Sequence, residues 1–399
     1  MKVAVVAEFY PSHRDPVLGI WTHRQALAAR DAGAEVRVLV LHRVVPPRSS
    51  LERGFAGALS ELSHRAREPL RQVRDGLEVS YLPYVSPVRH RFYPAWGAWA
   101  APVLGTALAL LRRSFAFDLV HAHNGVPAGD AVRRVFARAG PLRVPLVVSV
   151  HGGDVLYTAG RYPTGAAAVA RAFGAARLVL ANSQGIAELS RAHGARETQV
   201  VHLGSDLPAA PRGARAEGPP LLVTVAHLIP RKRHGDVLRA LAVLSQRHPA
   251  LRYAVIGDGP ERVALEGLAA RLGVAARVRF HGQLQPEEAI AQARRATLFV
   301  MPSTEEAFGA GYVEAMAGGV PAIGCRGEPG PEEIAAAGDG LVLVPPGDIE
   351  RLSQRIDELL SDPHRLREAG QRARETVAAN FTWERCGRAT LAAYRRALR

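Results

Sequence analysis

The sequence predicts an α/β protein made of two doubly wound, Rossmann-like domains. Three observations carry that expectation: 399 residues of which 48% are hydrophobic, short apolar runs that alternate with amphipathic stretches, and one break rich in Pro, Gly and Ala. A chain of this length can bury two separate cores of roughly 150 to 200 residues each.

The opening segments read strand, loop, helix, strand: "KVAVVAEFY", "SHRDPVLGI", "WTHRQALAARDAG", "EVRVLVL". A helix closed by Gly33 before a β-branched run is the βαβ pattern of a parallel sheet. The pattern recurs in "FDLVHAHNG", "VPLVVSVHGGD" and "ARLVLANSQG". Open α/β sheets bind ligands outside the carboxyl ends of their strands, so His121, His123, His151 and Asp154 fall at an expected site. Residues 1–205 form the first expected domain and 206–220 a linker. The alternation restarts over 221–380 with "LLVTVAHL", "RYAVIGDG", "VRFHGQL", "ATLFVMPS", "VPAIGCRG" and "GLVLVPPG". Residues 381–399, a further helical pattern, are expected to pack back on the first domain. Two such domains joined by one linker make a deep cleft, a preferred place for a ligand.

The formal net charge is +14, and Lys2 and Lys232 are the only lysines among 51 basic residues. The balance points to anionic partners: nucleic acid, a membrane surface or phosphorylated small molecules. Nucleic acid is set aside, because no RNA-binding aromatic signature, zinc finger or basic arm is present. Cys325 and Cys386 lack metal-site spacing and are expected to be reduced. The start "MKVAVVAEFY" has too short an apolar run for a signal-peptide core, which points to a cytoplasmic chain. Residues 89–113, "RHRFYPAWGAWAAPVLGTALALLRR", set arginines at both ends of an apolar stretch broken by Pro94, Gly97, Pro102 and Gly105. They suit a buried helix, or a surface helix touching anionic lipid or a lipid-linked substrate at the inner membrane face.

The stretch "PSTEEAFGAGYVEAMAGGVPAIG", residues 302–324, carries the most chemistry. A strand ends at Pro302 and a helix follows, so residues 303–309 form the turn between them. The amides of Phe308, Gly309 and Ala310 then lie at a helix N-terminus, where an anion is favoured. A carboxylate can accept two hydrogen bonds from a vicinal diol, so Glu314 on the helix can hold a ribose and Glu306 on the turn a sugar. A helix-dipole role for Glu314 and a solvated loop charge at Glu306 remain open on these residues alone. Lys232, between a strand and a helix and flanked by Arg231 and Arg233, presents a point charge for phosphate, with a solvated basic turn as the alternative. The "IGDGPER" turn lacks the third glycine of a dinucleotide loop.

Together these motifs resemble glycosyltransferase family 4, the retaining enzymes of GT-B fold also described as glycosyl transferases group 1. The family's Glu, seven residues, Glu pattern is matched by Pro302, Ser303, Glu306, Phe308, Gly309, Glu314, Ala315, Met316, Ala317, Gly319, Pro321 and Ile323. The resemblance extends through "VAHLIPRKRH", "VIGDGPER", "VRFHGQL", "LVPPGD" and "FTW", over residues 221–385, and more loosely over the first half. It implies a glycine loop at Gly19 near the donor, and His123 or His151 near the reacting centre. It also implies transfer of a hexose-type sugar from a nucleoside diphosphate sugar, UDP ahead of GDP or ADP, to a hydroxyl acceptor with configuration retained, in polysaccharide or glycolipid synthesis. No cofactor and no metal are expected: Lys232, an Arg and a helix N-terminus would stabilise the leaving diphosphate, and no Asp-x-Asp pair is evident. On the acceptor or sugar side stands Asp154. His227 occupies a position where the family often has Arg, leaving Arg231 to share phosphate neutralisation, and "HLGSD" replaces the usual "PNGVD" at the domain junction. Acceptor specificity would lie in the loop after Gly19 and in residues 45–115.

Three rivals were weighed. A glycoside hydrolase needs its carboxylates on opposite sides of a bond, whereas these share one turn and helix. A nucleotide-sugar 2-epimerase of the same architecture would carry further cleft carboxylates. A non-catalytic nucleotide-binding scaffold would be favoured by loss of Lys232 or Glu306, and both are present.

Overall fold

A computed structural model describes residues 1–12, 15–45, 54, 69–138, 140–209 and 218–399. Part of the expected linker, 210–217, and much of the stretch expected to set acceptor specificity, 46–53 and 55–68, lie outside the described residues. The chain divides into two compact units, Met1–Val201 with Cys386–Arg399, and His202–Arg385.

The first unit is built on strands β1 (Lys2–Ala7), β2 (Glu35–Arg43), β3 (Arg71–Arg74), β4 (Leu77–Tyr84), β5 (Leu119–His123), β6 (Leu146–Val150), β7 (Leu178–Ala181) and β8 (Thr198–Val200). They lie in the order β3-β4-β2-β1-β5-β6-β7-β8, parallel throughout except for β3 against β4. Every residue of β5, β6 and β7 is buried, as in a parallel sheet covered by helices on both faces. The antiparallel edge hairpin was not anticipated. Asp75 (φ 47°) and Gly76 (φ 78°) form its turn, both in the left-handed region that a two-residue hairpin loop requires.

The second unit carries β9 (Leu221–Val225), β10 (Arg252–Ile256), β11 (Val278–Gly282), β12 (Leu298–Val300), β13 (Ala322–Cys325) and β14 (Leu341–Val344). Their order is β11-β10-β9-β12-β13-β14, all parallel. Leu222, Leu241, Tyr253, Val300, Ile323 and Ile356 belong to its core. The first unit ends at Val201 rather than 205 because the junction pairs with the second: the Ser205 amide donates to the Phe381 carbonyl at 2.9 Å, and Ser205 bridges Thr382. The last helix, Trp383–Ala397, returns the chain to the first unit from Cys386 onward. There Tyr394 meets His121 at 2.8 Å and the Gln25 amide donates to Thr390 at 3.3 Å.

Each sheet has one switch point, where the strand order runs outward in both directions. It lies between β1 and β5 in the first unit and between β9 and β12 in the second, and ligands favour the crevice at the carboxyl ends there. The helix Trp96–Ser114 is half-buried rather than fully internal. Trp96, Ala100, Leu104 and Leu108 face inward, while Trp99 is 51% and Leu110 52% exposed. With the preceding turn, Arg89–Ser114 is the one helical stretch among the described residues long and apolar enough to cross a membrane, yet its inner face is used on the helix Asp130–Arg138 and on β4.

Candidate functional site

In the second unit the switch point brings Lys232 and Glu306 together from segments 74 residues apart. Lys232 follows β9 and Glu306 follows β12, so neighbouring strands deliver them to the same edge. The Lys232 ammonium donates to Glu306 Oε2, which also accepts the buried Ser303 hydroxyl at 2.9 Å. Burial would push the Glu306 carboxyl up, but Lys232, Arg231 and Ser303 outweigh it and hold the group below its ordinary range. Glu306 is therefore ionised at neutral pH, and it is not the solvated loop charge that its position in a turn allowed.

Glu328, which sequence reasoning missed, and Arg231 hold this turn. Glu328 accepts the Glu306 amide at 2.8 Å, fixing the backbone beside Glu305, itself at φ 53°. The Arg231 carbonyl accepts the Thr304 amide at 2.8 Å, and the Arg231 guanidinium donates to the Glu305 carbonyl at 3.2 Å. Arg231 thus spends part of its hydrogen-bonding capacity tying two loops. His227 is exposed, and its carbonyl accepts His234 Nε2 at 3.2 Å.

Gly309 caps the helix Ala310–Ala317 at φ 86°, and a Cβ there would overlap the Tyr312 ring. The amides of Phe308, Gly309 and Ala310 donate to no acceptor among the described residues. The first amides of a helix have no intrahelical partner, so these three at a helix start can meet an anion. Only the amide of Phe308 can serve such a ligand, because its ring is 2% exposed and packs on His202 and Phe381. Glu314 lies one turn into the helix, half-buried. Arg294, also missed in the sequence, acts on it electrostatically, donates to its carbonyl at 3.1 Å and reaches Ser205 Oγ at 3.1 Å. "HLGSD" is thereby given a part: His202 pairs with Glu333 at 2.5 Å, and Ser205 and Asp206 receive Arg294.

In the first unit, β5 and β6 stack three imidazoles. His121 and His123 are 4.4 Å apart between centroids, and His123 and His151 are 5.2 Å apart with planes at 8°. His123 Nδ1 and His151 Nε2 share a hydrogen bond at 2.9 Å. Whichever ring donates, the outer nitrogens, His123 Nε2 and His151 Nδ1, are then left as one donor and one acceptor, and both are buried without a partner. Burial holds His123 well below its ordinary pKa and His151 down at about 3, so both are neutral at pH 7. His121 corrects the expectation that it joins the site. It points into the fold, with Tyr394 and Ser149 each at 2.8 Å filling both nitrogens.

Two further expectations change. Asp154 is 1% exposed, and its two oxygens accept the amides of Gly125 and Val126 at 2.9 and 3.0 Å. It shapes the turn after β5 and is too deeply buried to meet a sugar. Gly19 sits at φ 72° as the cap of the helix Ile20–Asp31, where a Cβ would overlap the Phe9 carbonyl, so the chain itself already requires glycine there. Trp21, two residues on, lies 6.1 Å from the His151 ring with an unpartnered indole N–H. Among the described residues, no three His, Cys, Asp or Glu side chains converge as a metal-ligand set.

The family model described as glycosyl transferases group 1 matches residues 209–376, and that of glycosyltransferase family 4 matches residues 18–209. A GDP-mannose-dependent alpha-(1-6)-phosphatidylinositol monomannoside mannosyltransferase of Mycolicibacterium smegmatis is 33% identical over 42% of this chain, which spans about half (46%) of that relative's length. The D-inositol 3-phosphate glycosyltransferase of Streptomyces bingchenggensis is 31% identical over 76% of this chain and 70% of its own. Among solved structures, sucrose-phosphate synthase from Thermosynechococcus elongatus aligns with a TM-score of 0.78 over 99% of this chain and 98% of its own, at 22% identity. That likeness shows the fold, the GT-B arrangement of two Rossmann-like units.

Proposed function

We propose that this chain, which belongs to glycosyltransferase family 4, moves a hexose-type sugar from a nucleoside diphosphate sugar to a hydroxyl acceptor with retention of anomeric configuration. The observation that carries this is the second unit's switch point, where Lys232 and Glu306 meet beside three unpartnered helix-start amides. When the bond from the anomeric carbon to the diphosphate breaks, negative charge grows on the leaving oxygen. In this reading Lys232 and the amides of Phe308, Gly309 and Ala310 hold it, and fixed donors aimed at developing charge lower a barrier most effectively. Because this chain supplies that positive charge, transfer is expected to proceed without a metal ion.

Glu306, kept ionised, accepts a sugar hydroxyl, and Glu314 accepts the ribose diol. The acceptor oxygen attacks the face the diphosphate leaves, and its proton passes to a phosphate oxygen. The neutral His123 and His151 pair orients the acceptor through its open nitrogens. UDP is the expected carrier, with GDP, which the mannosyltransferase relative uses by name, and ADP as alternatives. The acceptor would belong to polysaccharide or glycolipid synthesis. The outer face of Trp96–Ser114, with Trp99 and Leu110 open, supports contact with anionic lipid. Vesicle flotation tests that contact: binding to anionic but not zwitterionic vesicles, weakened by Trp99→Ser, is expected, and equal recovery from both abolishes the idea.

Calorimetric titration with UDP, GDP and ADP, with and without a chelator, tests the donor site. One nucleotide should bind, unaffected by chelator and weakened by Lys232→Ala. If none binds, the donor site proposed here does not exist.

A further inference from the structure

The first unit holds a second built feature that the donor chemistry leaves unused: three tyrosine rings in a row with an arginine at each end. The Arg89 guanidinium lies 4.4 Å from the Tyr93 centroid. Tyr93 meets Tyr162 at 6.0 Å, Tyr162 meets Tyr157 at 6.3 Å, and Arg161 lies 4.9 Å from the Tyr157 centroid. The row stands at the carboxyl ends of the strands, beside the histidine pair. Glu8, next after β1, accepts the Tyr93 hydroxyl at 2.7 Å, and Tyr157 lies in the turn that follows His151 and Asp154.

Both guanidinium forks are open, although Glu8 attracts Arg89 electrostatically. Arg89 and Arg161 are exposed, and neither guanidinium makes a hydrogen bond to another described residue. Arg43 supplies the contrast. It too lies over an aromatic ring, Trp96 at 4.5 Å, but it donates to Ser86 Oγ at 2.8 Å and to the carbonyls of Ser86 and Pro87, so it is spent on the loop. An arginine resting on a ring keeps its planar fork of N–H donors free at the rim, the geometry that grips an oxyanion with two parallel bonds. Two acids stand nearby: Glu8, engaged by Tyr93, attracts Arg89 while burial pushes its own carboxyl up, and Asp154 accepts two amides while burial pushes it up to about 6. Neither forms a hydrogen bond with Arg89 or Arg161, so both guanidinium forks stay open. Tyr93 and Tyr162 are buried and hold the row rigid, while Tyr157 is 43% exposed and offers an open ring face.

We propose that this row is the acceptor subsite, and that the acceptor is a sugar or polyol bearing an oxyanion, a phosphate or a carboxylate, gripped by Arg161 with its ring against Tyr157, Arg89 adding positive potential from the far end of the row. The proposal rests on the glycosyl-transfer reading above and names the acceptor class for it.

The test uses the full chain saturated with whichever nucleotide binds, and matched probes: glucose, glucose 6-phosphate and glucuronate, then glycerol and glycerol 3-phosphate. Saturation-transfer NMR reads binding, and transfer is read by product mass with the corresponding nucleotide sugar. The charged member of a set is expected to bind about tenfold tighter or more than the neutral one, with the preferred anion identifying phosphate or carboxylate. Arg161→Gln should erase most of that preference and Arg89→Gln a smaller part, and Arg161→Lys should keep part of it, since the charge stays and the fork is lost. Nucleotide affinity in the same samples reports that the variants are folded. If nucleotide binds normally and no charged member is preferred, or the preference survives both glutamine variants, the oxyanion subsite falls and glycosyl transfer stands. If no nucleotide binds, the premise fails first and takes the subsite with it.

Discussion

The two switch points do the same topological job with opposite electrostatics. In the second unit the crevice is charged: Lys232 on Glu306, Arg231 beside them, and a helix start with three open amides. In the first unit the outward pair, His123 and His151, is stacked and kept neutral by burial, while His121 turns into the fold. On the proposed reading, the charged crevice would suit a departing diphosphate, which needs fixed positive charge. The first unit's open guanidinium forks, those of Arg89 and Arg161, stand apart from the imidazole stack, at the two ends of the tyrosine row.

Breaking the charged half should cost most. Lys232→Ala removes the cation proposed to face the leaving group and strands a buried carboxylate, so turnover should drop roughly 100- to 1000-fold in a nucleotide-release assay. A loss below about threefold would mean that the charge asymmetry has no catalytic meaning. Next come the two glutamates, which sharpen the comparison within the charged half. Glu306→Gln should slow turnover roughly 100-fold with little change in donor affinity, while Glu314→Ala should weaken nucleotide binding about tenfold by calorimetry. Equal effects on both parameters in both variants would remove the division of labour.

The neutral half should respond more gently. His123→Ala or His151→Ala is expected to lower turnover about 10- to 100-fold and leave nucleotide affinity unchanged. With His151 held at about 3, its protonation cannot produce an acid limb between pH 6 and 7. A limb there that disappears in His151→Ala would show that the imidazole is charged in the working enzyme. The smallest effect concerns stability. His121 falls from 6.5 to about 3 on folding, so between those values the unfolded chain binds a proton that the folded chain does not. Its contribution is complete above pH 6.5 and is lost as pH falls toward 3, by about 2 kcal/mol at pH 5. Denaturant melts at pH 7 and 5 check this, and His121→Asn should flatten that share of the slope.

Much of the charged site was legible because it is local. A strand, a short turn and a helix place Glu306, Gly309 and Glu314 relative to one another within nine residues, and a solitary lysine at the next strand end marks its partner. Glu328 and Arg294 were not legible. They act from the following loop and the preceding helix end, where their residue types carry no spacing signal. Asp154 and His121 misled for a related reason. Strand-end position shows that a polar side chain can reach the ligand edge, but the backbone amides at 125–126 and the hydroxyls of Ser149 and Tyr394 claimed them instead.

What the sequence determined by itself was the α/β class, the strand ends that carry polar residues, and the family of chemistry, because backbone periodicity and turn residues are written in short stretches. Only the tertiary structure decided which polar groups are spent and which are free. Burial makes every unpaired donor and acceptor costly, so the fold satisfies each with whatever segment packs against it. Among the groups left open, the amides of 308–310, the outer nitrogens of His123 and His151, and the forks of Arg89 and Arg161 emerge only after that pairing is complete.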